Sequence, residues 1–307
     1  MKSLASSLEE YLKIRRALGY QLKETERLLS QFITFLAEHN ESHITVALAL
    51  KWAMLAKNVK PSYWSRRLST IRLFAQYYQA EDPKTQVPPF HLLSNQPRRA
   101  NPYIYSDEQI RQLLIACQSL SSRGLREHTY FTFFGLMAVT GCRISELVSL
   151  NQEDFNETQG WITIRNSKFN KSRLLPLHQT TLFQLKAYIQ TRNQYHPQPQ
   201  TNAFFLSDRG TRLSVWSIRH AFIQLSKQIG LRAPADSYGP RIHDIRHTFA
   251  VKIVLNWYRD DIEINQKLPL LSTYLGHKKP SDTYWYLTGI PELLAQATTR
   301  LEKQLGE

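Results

Sequence analysis

Apolar residues recur at helical spacing through the first part of the chain. Leu4, Leu8 and Leu12 form one run, and Leu28, Leu29, Phe32, Phe35 and Leu36 form another. This periodicity predicts helix over residues 4–39, interrupted at Gly19-Tyr20. Residues 45–57 give a third helix. Pro61-Ser-Tyr-Trp64 opens a fourth, with Trp64, Leu68, Ile71, Ala75 and Tyr78 on one stripe. Arg66, Arg67 and Arg72 fall largely off that stripe. They form either a solvated basic face or a face laid against phosphates or into a major groove.

The pattern then changes. Residues 81–104 hold five prolines and little periodicity, the mark of a linker, with Arg98 and Arg99 inside it. Those two arginines either track a phosphate backbone or are simply solvated. The chain divides into a helical domain over residues 1–85, a linker over 86–104 and a second domain over 105–307, with the break near residue 100. Ser106-Asp-Glu-Gln109 reads as a capping box that opens a helix. Residues 127–140 are an apolar helix, and Ile144 to Leu150 continue or follow it. Residues 161–165 and 173–177 alternate as a β-hairpin around residues 166–172. Residues 203–206 predict a short strand, followed by a helix containing Trp216 and His220. From residue 243 onward the pattern is almost wholly helical. The fold class is therefore mainly α with a small antiparallel β-sheet.

Charge sharpens this picture. The formal net charge is +14 and the isoelectric point about 9.8. Residues 1–100 carry 15 Lys and Arg against 8 Asp and Glu, and residues 101–307 carry 24 against 17. Both parts are basic, so the chain is not a neutral enzyme with a basic tail. Such a field favours polyanions. Only Cys117 and Cys142 are present, with no CxxC, which argues against a disulfide framework or a cysteine zinc site and suits a reducing cytoplasm. The start of the chain does not read as a signal peptide, and no stretch approaches the roughly 20 apolar residues of a membrane span. No metal-ligand spacing is visible, and no cofactor is implied.

Three separated segments carry the chemistry: Gly141-Cys-Arg143-Ile-Ser-Glu146-Leu, His243-Asp-Ile-Arg246-His247, and Leu275-Gly276-His277 followed by Tyr284-Trp-Tyr286. A phosphodiester resists attack because its oxygens are negative and gain charge in the transition state. Guanidiniums set on the non-bridging oxygens offset that charge, and a phenol can attack the phosphorus. Arg143 and Arg246 are the candidate clamp. His243 and Arg246 share a helical face at a separation of three. His277 follows a glycine at an expected helix start and can donate to the same phosphate.

In these motifs the chain resembles the tyrosine recombinase/integrase family, over most of its length and at a size like that of the Xer-type members. The resemblance implies a helical core-binding domain followed by a catalytic domain. It also implies site-specific recombination of double-stranded DNA through a 3′-phosphotyrosine and a free 5′-hydroxyl. It places the first arginine of the family at Arg143, its HxxR box at His243 and Arg246, and its LGH histidine at His277. The nucleophile falls nine positions beyond that histidine, at Tyr286, with Tyr284 as a packing residue. The lysine of the family's hairpin turn corresponds to Lys168, with Lys171 second. Lys171 and Arg173 are also candidate DNA contacts. The 34-residue interval from His243 to His277 exceeds that of compact Xer-type members. Together with residues 281–288 it looks more like integrases and transposases of mobile elements.

The resemblance further implies a two-domain clamp around duplex DNA carrying specific sites. It implies a homo-tetramer on synapsed DNA joined through the C-terminal helix, an accessory DNA-bending protein, and a cytoplasmic, nucleoid-associated place in a bacterium. Two other readings share the fold: a catalytically silent DNA-binding accessory protein and a type IB topoisomerase.

Overall fold

In the computed structural model the described residues are 3–93, 101–120, 124–165, 172–236, 238–260 and 262–277, with Thr283, Thr298 and Glu302. They fall into two compact units, Met1–Ala100 and Asn101–Glu307.

The first unit is four helices: α1 (Leu4–Ala17), α2 (Lys23–Glu38), α3 (Val46–Met54) and α4 (Pro61–Tyr78). The Ser3 and Thr45 side chains accept hydrogen bonds from the first turns of α1 and α3, and Pro61 begins α4, where a missing N–H costs nothing. Leu29, Phe32, Leu36, Trp52, Leu68, Ile71 and Phe74 make the core. The α4 stripe buries as its spacing predicts at Leu68, Ile71, Ala75 and Tyr78. The expectation that Arg67 and Arg72 project away from it is wrong, because the two residues are only 9% and 7% exposed. Arg67 lies four positions before Ile71 and Arg72 four after Leu68, so both flank the apolar stripe. The Arg67 guanidinium stacks 3.7 Å from the Trp52 ring centre. Arg72 donates to the carbonyls of Pro88 (2.7 Å) and Pro89 (2.6 Å) and lies over Phe90. Only Arg66 of the three remains exposed.

The second unit opens with α5 (Asp107–Ala116), α6 (Arg126–Thr140) and the short α7 (Ile144–Ser149). The Ser106 capping box forms as its sequence predicts. Next come β1 (Phe155–Asn156), β2 (Trp161–Ile164) and β3 (Arg173–Pro176), an antiparallel sheet in that order, with Ile162 opposite Leu175 and Ile164 opposite Arg173. Then follow α8 (Gln179–Tyr195), α9 (Val215–Gln228), α10 (Asp244–Arg259) and α11 (Ile264–Leu275). The predicted strand at residues 203–206 is reduced to isolated bridges, Asn151 with Ala203 and Leu206 with Arg212. Its side chains instead join Phe133, Phe134, Met137 and Phe222 in the core. A smaller apolar cluster joins α10 to α11 through Val251, Val254, Leu268 and Leu271. Among the described residues no helix is long and apolar enough to cross a membrane.

Candidate active site

The site begins where α6 ends. Gly141 caps it in the left-handed region at φ 63°, and a Cβ there would lie 2.5 Å from the Phe249 ring. The reversal makes Arg143 the N-cap of α7. The Arg143 backbone N–H donates to Glu146 Oε2 at 2.9 Å, and its Nη1 donates to Oε1 at 2.6 Å. Its Nη2 reaches the Gly276 carbonyl at 3.2 Å.

Glu146 is 3% exposed at its side chain and serves a second arginine. Arg173, at the base of the hairpin on β3, donates to Glu146 Oε1 and Oε2 at 3.1 and 2.9 Å, and its Nε donates to the Tyr274 carbonyl at 2.7 Å. Burial pushes the Glu146 carboxyl up, but the bonds and charge of Arg173, with those of Arg143, outweigh it and hold the group at about 2. Arg173, a candidate DNA contact from the sequence, has a side chain 11% exposed with both terminal nitrogens on the Glu146 carboxylate.

Arg246 enters from the first turn of α10 and is 1% exposed. Its Nη1 donates to the Gly141 carbonyl at 2.8 Å and its Nη2 to the Leu275 carbonyl at 2.5 Å. Nη2 also lies 3.0 Å from His277 Nε2. A guanidinium only donates, so that ring nitrogen presents its lone pair. The hydrogen then sits on Nδ1, which donates to Thr283 Oγ1 at 2.8 Å. His277 follows the end of α11, where Gly276 is the left-handed cap at φ 67°, and the helix expected to start there falls on residues outside those described. A Cβ on Gly276 would lie 2.9 Å from Arg173 Nη1. The glycine is needed for the reversal and for the close approach of the buried arginine.

His243 stands at the N-terminal edge of α10, its ring edge-to-face with that of His247 at 5.0 Å. Burial, then the Arg246 charge, lowers its pKa to about 4, so the imidazole is neutral at pH 7. His247 is lowered to about 4 for the same leading reason.

Arg143, Arg246 and His277 thus meet on one turn, residues 275–277, and His243 shares a cavity wall with Arg143. Lys168, Lys171, Arg98, Arg99, Tyr284 and Tyr286 lie outside the described residues. Sequence reasoning assigned no role to Glu146, although it stands inside the quoted motif three residues after Arg143. A carboxylate beside an arginine at that spacing is the available signal. Among the described residues no group of three His, Cys, Asp or Glu side chains is arranged to hold a metal ion.

Two arginines and a histidine therefore gather at one turn of a mainly helical domain with a small sheet. Residues 104–289 match the phage integrase family, and the chain belongs to it. It is 44% identical to a Sinorhizobium fredii protein named "Putative integrase/recombinase y4rB", over 99% of this chain and 98% of that one. It is 28% identical to tyrosine recombinase XerD of Staphylococcus haemolyticus, over 91% and 92% of the two chains. Among solved structures, the Tn1549 transposon integrase in complex with transposon right end DNA shares the fold, with a TM-score of 0.69 at 16% identity over 98% and 99% of the chains.

Proposed function

We propose that this chain, a tyrosine-type site-specific DNA recombinase, cuts through Tyr286 with Arg143, Arg246 and His277 on the scissile phosphate. One observation carries the division of labour: both arginines are fixed to the 275–277 turn by backbone carbonyls. Their planes are set before any substrate arrives, which is the preorganised electrostatics that phosphoryl transfer requires. The Tyr286 oxygen attacks phosphorus while its proton passes to a base. His243 suits that task, since a neutral imidazole has a lone pair to offer and an incoming phosphate raises its basicity. The bond to the 5′-oxygen breaks, and Lys168, carried between β2 and β3, protonates the leaving group. The product is a 3′-phosphotyrosine. It keeps the energy of the phosphodiester, so a second 5′-hydroxyl can rejoin the strand without ATP or metal.

The substrate in this reading is duplex DNA with specific sites at the ends of a mobile element. Residues 1–85 bind beside those sites and residues 105–307 cut. The active species is a homo-tetramer on two synapsed duplexes, joined by the C-terminal segment, with an accessory DNA-bending protein, in a bacterial cytoplasm. The 44% identical relative named integrase/recombinase supports this reading.

The test is a nicked suicide duplex that traps the covalent intermediate. Wild-type protein forms an adduct, Tyr286→Phe binds the DNA without one, and Tyr284→Phe retains it. Adduct formation by Tyr286→Phe and not by Tyr284→Phe overturns the assignment.

A further inference from the structure

At the clamp lies a cavity of about 460 Å³, lined by two residues of the cleavage scheme and by three arginines that the scheme does not use. Arg143 and His243 form its near wall, and Arg219, Arg232 and Arg241 line the rest. Four guanidiniums therefore face one space. Two have carboxylate partners: Arg143 pairs with Glu146, and Arg241 with buried Asp244 at 2.6 Å. Among the described residues neither Arg219 nor Arg232 is ion-paired. Arg219 is exposed on α9. Arg232 is only 8% exposed, its Nη2 donates to the Pro240 carbonyl, and its Nε is buried with no partner.

A buried guanidinium without a counter-charge is costly, and it persists where an anion completes it. Between the arginines the wall is apolar, from Phe222 and Ile242. Cations around an apolar floor match a phosphodiester with its deoxyribose, and the cavity exceeds the size of one phosphate. Arg143, which the cleavage reading sets on the scissile phosphate, lines this same cavity together with Arg219 and Arg232, so an anion held by the latter pair stands next to that phosphate.

We infer that the cavity is a second phosphate site, in which Arg219 and Arg232 hold the DNA phosphate next to the scissile one. This rests on the recombinase reading above. The contact fixes the register of the strand in the cleavage site and reads no base.

The test uses the full-length protein and two probes. On a 40-base-pair duplex of arbitrary sequence, Arg219→Ala makes the dependence of log K on log salt shallower by about 0.9, the loss of one phosphate contact. Arg232→Met gives the same change, and Arg232→Lys restores part of it. On the suicide duplex, single methylphosphonates replace each phosphate flanking the cut. Wild-type adduct formation falls at one flanking position, and Arg219→Ala is insensitive at that position. An unchanged salt slope in Arg219→Ala, or equal methylphosphonate sensitivity in variant and wild type, overturns the second site. Absence of any wild-type adduct refutes the cleavage reading instead, and the arbitrary duplex still decides the cavity.

Discussion

Replacing Glu146 by glutamine removes the one negative charge between Arg143 and Arg173 and leaves the shape of the side chain intact. The structure sets the size of the effect. Holding the carboxyl at about 2, against an ordinary 4.5, corresponds to roughly 3 kcal/mol of preference for the charged form inside the fold. Breaking a buried pair from one side costs a similar amount, about 3–5 kcal/mol, because the remaining charge loses its partner. In urea, with a slope near 3 kcal/mol per molar, the midpoint at pH 7 drops by about 1 M. The pH dependence has a definite sign. The folded-state value is depressed, so the stabilisation is complete above about pH 4.5 and is lost as pH falls toward 2. Wild-type protein therefore loses stability across that window, and Glu146→Gln loses less. The assay is urea denaturation from pH 7 to 3, followed by tryptophan fluorescence, with adduct formation at pH 7 measured in parallel. Equal midpoints at pH 7 together with parallel acid curves would refute the reasoning.

Gly276→Ala places a methyl group against the Arg173 guanidinium in a left-handed backbone. It should destabilise by about 1–2 kcal/mol and slow cleavage while DNA binding persists, checked by filter binding beside the suicide assay. Lys168→Ala should cut ordinary DNA roughly 10²–10⁴-fold more slowly and recover on a 5′-bridging phosphorothiolate, whose thiolate leaves without a proton. Equal slowing on both substrates would make Lys168 a phosphate-positioning residue. Arg66→Ala should weaken DNA binding and leave the thermal midpoint unchanged. Arg72→Ala should lower the midpoint, because its guanidinium ties α4 to the carbonyls of Pro88 and Pro89.

Where burial followed a simple stripe, the sequence was enough to place the helix. Phe32 and Leu36 on α2 and Ile71 and Ala75 on α4 are core residues at the expected spacing. Helix α8 escaped notice because its buried face includes Arg192 while Phe183 on the same helix is exposed. Arg192 is accepted inside because its donors reach the Phe204 carbonyl and Gln152. The same physics misdirected the reading of Arg67 and Arg72 and gave Arg173 a partner the sequence does not show. A guanidinium reads as surface charge in a sequence, yet ring faces, carbonyls or a buried carboxylate make it interior, and those partners are remote in the chain. The motif letters around Arg143, Arg246 and His277 were legible. That the glycines beside them lend carbonyls to the neighbouring arginines was not, because Gly276 stands 133 positions from Arg143.

The bond between Arg246 and His277 also has a consequence for proton traffic. In the DNA-free protein His277 Nε2 spends its lone pair on Arg246, and its only N–H points at Thr283. For the ring to donate to a phosphate through Nε2, its hydrogen has to move there from Nδ1, with the Thr283 hydroxyl turning from acceptor to donor, or the ring has to take up a second proton. Titration calorimetry in buffers of different ionisation heat separates the two: a tautomer switch leaves the binding enthalpy independent of the buffer, and proton uptake makes it buffer-dependent.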